Sequence, residues 1–266
     1  MIDATNCPQC DARVAPGNRF CGRCGYSLMA AGDAAESHES DPSVGRSSAS
    51  VHARLIRIHS GGADGDIIEI GSKPKTIGRI DADICFSEDA FVSPLHASIF
   101  FDDDRLMVRD EQSANGVFKR LSGSVILKYG DVFMAGEELM RIEDRGPDLS
   151  NHDAEGTSFF GSAPNSHPYA VRQILEGGLD GLLMRPRANR LTIGRERCDL
   201  EFPYDRFISS THCRLEFDKT GVQLTDLDSR NGTYTKVNSE AELHDGDFIF
   251  IGRQLLRVAF NVPTSD

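Results

Sequence analysis

From Ala53 onward the chain alternates short apolar runs with clusters of Gly, Asp, Asn and Ser. The runs are rich in β-branched and aromatic residues, and turn residues recur about every 8 to 12 positions, which favours strands. No segment keeps an apolar residue at every third or fourth position, as an amphipathic helix would. The pattern predicts an all-β sandwich built from many short strands. The clearest runs are residues 55–58, 67–70, 99–101, 106–108 and 132–134.

Two stretches lose this pattern and are predicted to be linkers. Residues 29–52 are mostly Ala, Ser, Gly, Asp and Glu, and residues 144–168 are rich in Gly, Pro, Asn, Ser, Asp and His. Such compositions bury too little apolar surface to offset the entropy of ordering the chain. We therefore predict a small N-terminal module at 5–28, a sandwich at 53–143 and another at 169–260.

The two predicted sandwiches are copies of each other. Thr76-Ile77-Gly78-Arg79 recurs as Thr192-Ile193-Gly194-Arg195, an offset of 116 residues. The same offset joins the Ser-x-x-His elements, the Asn-Gly pairs and several later glycines. About a third of the positions between 76 and 142 are identical to their partners without a gap, which indicates a duplication. We call 53–143 the first repeat and 169–260 the second repeat.

Each repeat carries polar residues suited to a phosphate dianion. In the second repeat, Arg195 offers a guanidinium fork that matches phosphate oxygens. Ser209 and Ser210 offer hydroxyl and backbone donors, and Asn231 has the donor and acceptor needed to hold a peptide backbone. A lone arginine of this kind is usually only a solvated surface residue. The recurrence of the whole set in order favours a binding site.

The order Gly-Arg, then Ser-x-x-His, then Asn-Gly resembles the forkhead-associated family. That resemblance implies a β-sandwich whose loops bind phosphothreonine peptides, and it covers about 53–143 and 169–260. The phosphopeptide-binding residues that it implies are Arg195, Ser209, Ser210, Arg230, Asn231, Arg79, Ser93 and Asn115. The motif residues that it implies to be structural are Gly78, His96, Gly116, Gly194, His212 and Gly232.

The two repeats differ where the phosphate is expected. Ser210 of the second repeat corresponds to Pro94 of the first, and proline has neither an N–H nor a side-chain donor. Arg230 corresponds to Ala114. Arginines are numerous around the second motif, whereas Arg79 is followed by several acidic residues. We therefore expect the second sandwich to be the main phosphopeptide-binding domain, and the first to bind weakly or serve as a scaffold.

Four of the seven cysteines lie near the N-terminus as two C-x-x-C pairs. Cys7, Cys10, Cys21 and Cys24 have the spacing of a zinc ribbon, in which four thiolates hold one structural Zn²⁺. A thioredoxin-like redox pair is the alternative, but it requires a βαβ context that this segment lacks. The remaining cysteines are expected to be small apolar core residues. They are Cys85, Cys198 and Cys213.

Composition limits the function further. The formal net charge of −12 argues against bulk binding to nucleic acid or an anionic membrane. The sequence has no apolar run long enough for a membrane span and no secretory signal at Met1, so we expect a cytoplasmic protein. A serine three residues from a histidine could suggest hydrolysis, but an orienting acid and an oxyanion hole are not apparent. We expect no enzymatic activity.

The leading hypothesis is a non-catalytic, phosphothreonine-binding adaptor in Ser/Thr kinase signalling. Its partner would be a threonine-phosphorylated protein, a Ser/Thr kinase or the substrate of one. Two alternatives stay open at this point. The zinc ribbon could contact DNA or RNA in a nucleic-acid-associated regulator, or both sandwiches could bind partners without phosphate in an assembly scaffold.

Overall fold

The protein consists of strands joined by short loops. In this computed structural model, the residues described are 5–6, 13–14, 53–59, 62–144, 153–161, 167–218 and 221–260. Within them, the only helical element is a single 3-10 turn at Glu176–Gly178. The strands up to the second linker are β1 (Thr5–Asn6), β2 (Arg13–Val14), β3 (Ala53–Ile58), β4 (Asp64–Ile70), β5 (Lys75–Gly78), β6 (Ile84–Cys85), β7 (Ala97–Asp102), β8 (Arg105–Asp110), β9 (Val117–Arg120), β10 (Ser124–Leu127), β11 (Val132–Ala135) and β12 (Glu138–Asp144). After it come β13 (Tyr169–Ile174), β14 (Asp180–Met184), β15 (Arg190–Gly194), β16 (Leu200–Glu201), β17 (Cys213–Phe217), β18 (Val222–Asp226), β19 (Thr233–Lys236), β20 (Glu240–Leu243), β21 (Phe248–Ile251) and β22 (Gln254–Phe260).

The chain forms two compact units, and neither is one continuous segment of a single repeat. The first unit contains residues 1–119 and 237–266, and the second contains residues 120–236. In the first, the strands are hydrogen-bonded in the orders β9-β21-β22-β3-β4 and β20-β8-β7-β5-β6. In the second, the equivalent orders are β14-β13-β12-β11-β19 and β10-β18-β17-β15-β16. We call these units the first and the second sandwich.

The repeats exchange their last three strands. In sequence, β10, β11 and β12 follow β9 and belong to the first repeat. In the structure they pair with β18, β19 and β13 of the second repeat. Reciprocally, β20, β21 and β22 pair with β8, β9 and β3. The units therefore differ from the predicted sandwiches 53–143 and 169–260, because each sandwich joins seven strands of one repeat to three of the other.

Each sandwich encloses its own apolar core, to which the exchanged strands contribute fully. In the first sandwich, Leu55 and Ile99 pack in one cluster with Ile249 and Val258 of the exchanged strands. In the second, Leu215 shares a cluster with Phe133 and Met140. Inward-facing apolar residues alternate with more exposed ones along these strands, as in any sheet with one buried face. The predicted all-β fold is confirmed for the part of the chain that the structure describes.

Several predictions concern segments at the margins of the sandwiches. The four N-terminal cysteines and residues 29–52 lie outside the described residues, although β1 and β2 pair as a short antiparallel ladder. Within 144–168, residues 153–161 include a turn in which Asp153 accepts hydrogen bonds from the amides of Glu155 and Thr157. Of the other cysteines, only Cys213 is buried. The core role predicted for Cys85 is wrong, because its position in β6 faces solvent.

Candidate functional site

Three loops meet at one end of the second sandwich and bring the predicted residues together. The amide of Arg195, just after β15, donates to the carbonyl of Ser209 over 2.9 Å. The amide of Arg230 donates to Ser209 Oγ over 3.0 Å. Asn231 Nδ2 donates to the carbonyl of Phe207 over 2.6 Å. Hydrogen bonds between loops therefore hold the arginine, serine and asparagine elements in one cluster.

The His212 side chain stabilises this cluster by hydrogen bonds to two of its loops. The side chain is fully buried, and its Nδ1 accepts a hydrogen bond from the amide of Ser209 over 3.0 Å. Its Nε2 lies 3.1 Å from the carbonyl of Gly232, so Nε2 must carry the ring proton. Burial lowers the pKa of His212, which favours this neutral form. His212 therefore hydrogen-bonds the backbone of two loops, and Nδ1 is committed to an amide rather than to the serine hydroxyl that a hydrolytic pair would use.

The residue before the motif arginine must be a glycine because a loop packs directly against it. A Cβ at Gly194 would lie 2.3 Å from the carbonyl oxygen of Ser210, so the serine loop could not approach β15. At Gly78 in the first repeat, a Cβ would lie 2.1 Å from the carbonyl oxygen of Pro94. The glycine thus lets one loop pack closely on the end of the strand that precedes the arginine.

The first sandwich repeats the same hydrogen-bonded frame. The amide of Arg79 donates to the carbonyl of Ser93 over 2.9 Å, and the amide of Ala114 donates to Ser93 Oγ over 3.0 Å. Asn115 Nδ2 donates to the carbonyl of Phe91 over 2.8 Å. His96 is buried and bonds the Ser93 amide and the Gly116 carbonyl, as its counterpart does. The frame therefore does not require a serine after the motif serine, since Pro94 stands there.

The side chains that would meet a phosphate differ between the two sites. Ser210 Oγ donates to Glu196 Oε1 over 2.9 Å, so this hydroxyl is already engaged by a carboxylate. Sequence reasoning did not single out Glu196, which takes the place of Ile80 in the first repeat. Arg79 Nε donates to the carbonyl of Val92 over 3.0 Å. Within the described parts of the chain, the Arg195 side chain makes no hydrogen bond or ion pair, so its whole fork is available.

Acidic residues near Arg79, which the sequence suggested would oppose phosphate, are partly committed elsewhere. Asp83 accepts hydrogen bonds from the amide and the hydroxyl of Thr76, both at 2.8 Å, and these bonds lower its pKa. Asp89 is buried and accepts from the amide of Phe91. These two carboxylates therefore support the loops, although hydrogen bonds from neutral groups do not remove their negative charge.

Sequence reasoning missed two acids that shape the loops, of which Asp205 is buried and Asp226 is half-buried. Asp205 accepts from the amides of Phe207 and Ile208, and Asp226 accepts from both the amide and the hydroxyl of Ser229. The Ser229 hydroxyl in turn accepts from the amide of Gly232. The signal that could have found them is their identity at the offset of 116, as Asp89, Asp110 and Ser113.

Comparison with known proteins agrees with this architecture. Two β-sandwiches, each with a braced cluster of loops at one end, define the structural class. The model of the FHA domain matches residues 75–136 and 191–252, once in each repeat. These two matches identify the chain as a protein with two FHA domains. No curated protein matches the chain.

Several solved FHA structures are similar to this chain. The FHA domain of the CT664 protein from Chlamydia trachomatis is 12% identical over 79% of this chain and 99% of its own, with a TM-score of 0.33. The FhaA FHA domain, solved in complex with the intracellular domain of Rv3910, is 32% identical over 29% of this chain and 88% of its own, with a TM-score of 0.19. A structure from work on phosphothreonine-dependent FHA domain interactions is 26% identical over 33% of this chain and 90% of its own, with a TM-score of 0.17.

Two further observations bear on the other predictions. Among the residues that the structure describes, no helix has the length and apolar character needed to cross a membrane. The same residues contain no cluster of His, Cys, Asp or Glu that could hold a metal ion. The predicted zinc ligands lie outside the residues searched.

Proposed function

We propose that this protein is a non-catalytic adaptor that binds threonine-phosphorylated proteins through its FHA domains. The observation that carries the proposal is the hydrogen-bonded frame of three loops, which occurs in both sandwiches. It fixes an arginine fork beside loop hydroxyls and an asparagine, which is the chemistry that a phosphate on a peptide requires. The similarity to FHA domains studied for phosphothreonine-dependent interactions supports the same ligand class.

The second sandwich is proposed as the main phosphopeptide-binding domain. Arg195 and Arg230 offer two guanidinium groups there, whereas Arg79 is the counterpart of the first and Ala114 replaces the second. Glu196 opposes this trend, because its carboxylate must release the Ser210 hydroxyl before that hydroxyl can reach a phosphate. Two arginine forks outweigh one exposed carboxylate, since hydrogen bonds to charged groups are each worth about 1.5–3 kcal/mol.

The partner is proposed to be a Ser/Thr kinase or a substrate of one, in the cytoplasm and away from membranes. The net charge of −12 makes nucleic acid an unfavourable ligand. We further propose that Cys7, Cys10, Cys21 and Cys24 bind one structural Zn²⁺, as their spacing suggests. Thiolates hold the ion and supply folding energy to a module too small for a core of its own.

Peptide binding by two arginine variants tests the proposal. A degenerate pool of phosphothreonine peptides and its unphosphorylated counterpart are titrated against the full chain, Arg195→Ala and Arg79→Ala. Arg195→Ala should weaken phosphopeptide binding by about 30-fold or more, because a charge partner is truncated, and Arg79→Ala should weaken it far less. As a matched control, Arg195→Lys keeps the charge but loses the bidentate fork, so it should fall in between.

Three other results would revise the proposal in different ways. If Arg79→Ala abolishes binding and Arg195→Ala does not, the first sandwich is the main site. Binding of partners that survives dephosphorylation and both substitutions would support the assembly scaffold instead. Equal affinity of the unsubstituted protein for phosphorylated and unphosphorylated pools would exclude phosphopeptide recognition.

A further inference from the structure

The strand exchange places a turn of the second repeat beside the candidate site of the first sandwich. This turn, residues 252–254, connects β21 to β22. Asp89 anchors it, with Oδ2 accepting from the amide of Arg253 over 2.9 Å and from Gln254 Nε2 over 2.6 Å. Gly252 allows the close approach, because a Cβ there would lie 2.6 Å from Val92 Cγ2. Asp89 is only 7% exposed, so these hydrogen bonds are part of the packed interior and not a surface contact.

The loop that holds this turn is also the loop that carries the candidate site. Phe91 receives the hydrogen bond from Asn115 on its carbonyl, and the next carbonyl receives the one from Arg79. On the same loop, the guanidinium carbon of Arg253 lies 4.1 Å from the centroid of the Phe91 ring, a cation–π contact. Arg253 is therefore held against the loop that a bound phosphopeptide would contact.

A recess of about 460 Å³ opens at this point of the first sandwich. Its lining includes Arg57, Phe86, Glu88, Phe91, Arg253 and Gln254. The volume is sufficient for a peptide side chain. The lining also includes Asp89, so the recess holds two arginines and two carboxylates. Arg57 forms an exposed ion pair with Asp66 at 3.5 Å, and Arg253 is the cation that the exchanged turn adds.

The second sandwich has the same turn anchor, but the turn is acidic, and the guanidinium over the ring of Phe207 comes from Arg206 rather than from the turn. Its exchanged turn, residues 136–138 of the first repeat, is anchored by Asp205, whose Oδ2 accepts from the amide of Glu137 over 2.7 Å. Glu137 and Glu138 stand where the other turn has Arg253 and Gln254. Burial raises the pKa of Glu138, and the neighbouring Asp205 and Glu137 raise it further, so negative charge is crowded there.

We propose that the exchanged turns set which charge each FHA domain accepts next to the phosphothreonine. Arg253 selects an acidic peptide side chain for the first sandwich, and Glu137 selects a basic one for the second. This inference rests on the proposed phosphopeptide binding. Each turn belongs to the other repeat. The residue that sets the charge preference of a site therefore lies about 120 residues away from the equivalent position in the site's own repeat.

The two sites can be separated by silencing one at a time. Arg195→Ala leaves the first site to be measured, and Arg79→Ala leaves the second. The probes are phosphothreonine peptides in an alanine background, with Glu or Lys at each of three positions on either side of the phosphothreonine. The measured quantity is the ratio of the two dissociation constants at each position, in the full-length chain.

Arg253→Glu should invert the preference of the first site at one peptide position, and Glu137→Arg should invert that of the second. Replacing an attraction by a repulsion at an exposed contact should change the ratio about tenfold. The neutral variants Arg253→Gln and Glu137→Gln should remove the preference. Lys73→Glu is the matched control, since this exposed lysine lies at the opposite end of β5 from Arg79 and should change nothing.

The outcomes distinguish this inference from the proposed function. Unchanged ratios in Arg253→Glu and Glu137→Arg, with phosphothreonine still required for binding, would overturn the role of the turns and leave the adaptor intact. An unsubstituted protein that does not distinguish phosphorylated from unphosphorylated peptides would overturn both. Inversion in the opposite pairing, with Glu137 acting on the first site, would show that each turn stays with its own repeat.

Discussion

The exchange of strands between the repeats can be tested by the position at which an engineered disulfide forms. Arg54 on β3 is paired with Ala259 on β22, the last strand of the second repeat. Cα atoms of antiparallel partners lie about 4.5–5.5 Å apart, within the range that a disulfide can span. The double variant Arg54→Cys/Ala259→Cys should therefore crosslink within one chain. If each repeat closed its own sandwich, the partner of Arg54 would be Glu143, which corresponds to Ala259 at the offset of 116.

The same disulfide should stabilise the first sandwich by a predictable amount. It closes a loop from residue 54 to residue 259, which contains all of the second sandwich. For a loop of about 200 residues, the reduced entropy of the unfolded chain corresponds to about 5 kcal/mol. The free energy of unfolding, measured in urea for oxidised and reduced protein, should differ by up to this amount.

Mass mapping of disulfide-linked peptides gives the decisive readout. The exposed native thiol Cys85 is first replaced by serine to prevent competing pairs. Arg54→Cys/Glu143→Cys is the matched control and should stay reduced under the same mild oxidation. A crosslink in this control, or a 54–259 crosslink found only between two chains at low protein concentration, would refute the intrachain exchange.

Two further predictions concern stability. Burial lowers the pKa of His212 below its usual 6.5, so below about pH 6.5 the unfolded chain takes up a proton that the folded second sandwich resists. Its stability should therefore be complete above about pH 6.5 and fall on acidification by up to about 1.4 kcal/mol per pH unit, and urea unfolding of His212→Gln should show a smaller dependence. Chelation of Zn²⁺ should disorder the N-terminal module and leave both sandwiches folded, as followed by amide exchange. Substoichiometric zinc in purified protein, with unchanged N-terminal exchange on chelation, would argue against the zinc ribbon.

The sequence predicts the strands and the clustered loops because both depend on local patterns. The apolar runs at 55–58 and 99–101 fall within β3 and β7, and strand β13 begins at Tyr169, where the strand pattern of the sequence returns. The motif residues come together because they lie next to strands or in the short loops between them: Arg195 directly follows β15, whereas Ser209 and Asn231 lie in the loops before β17 and β19. The spacing of the motifs could not show which carboxylates hold the loops. In the sequence Asp89 counts only as a negative charge near Arg79, whereas in the structure it is a buried hydrogen-bond acceptor.

The exchange itself could not be predicted, because a sequence pattern records which face of a strand is buried and not which copy of its partner the strand joins. β11 and β21 have the same alternation of burial, and so do β12 and β22 over most of their length. Either pair could close either sandwich with an apolar face inward. The exchanged arrangement gains the ion pair between Arg109 and Glu240, since the position equivalent to Glu240 is Ser124. Both partners are about half exposed, so this pair contributes at most about 1 kcal/mol and cannot decide the pairing alone.

The charged turns make the exchange matter for binding even though it leaves the cores nearly equivalent. Gly136 and Gly252 fit the same anchor, so the aspartates at 89 and 205 would accept either turn through its backbone amide. The side chain that follows the glycine is what changes, from Glu137 to Arg253. Exchange therefore preserves the fold but inverts the charge of the turn beside each candidate site. In a duplicated chain, a swap of strands that is nearly neutral for stability can in this way assign a different peptide to each copy.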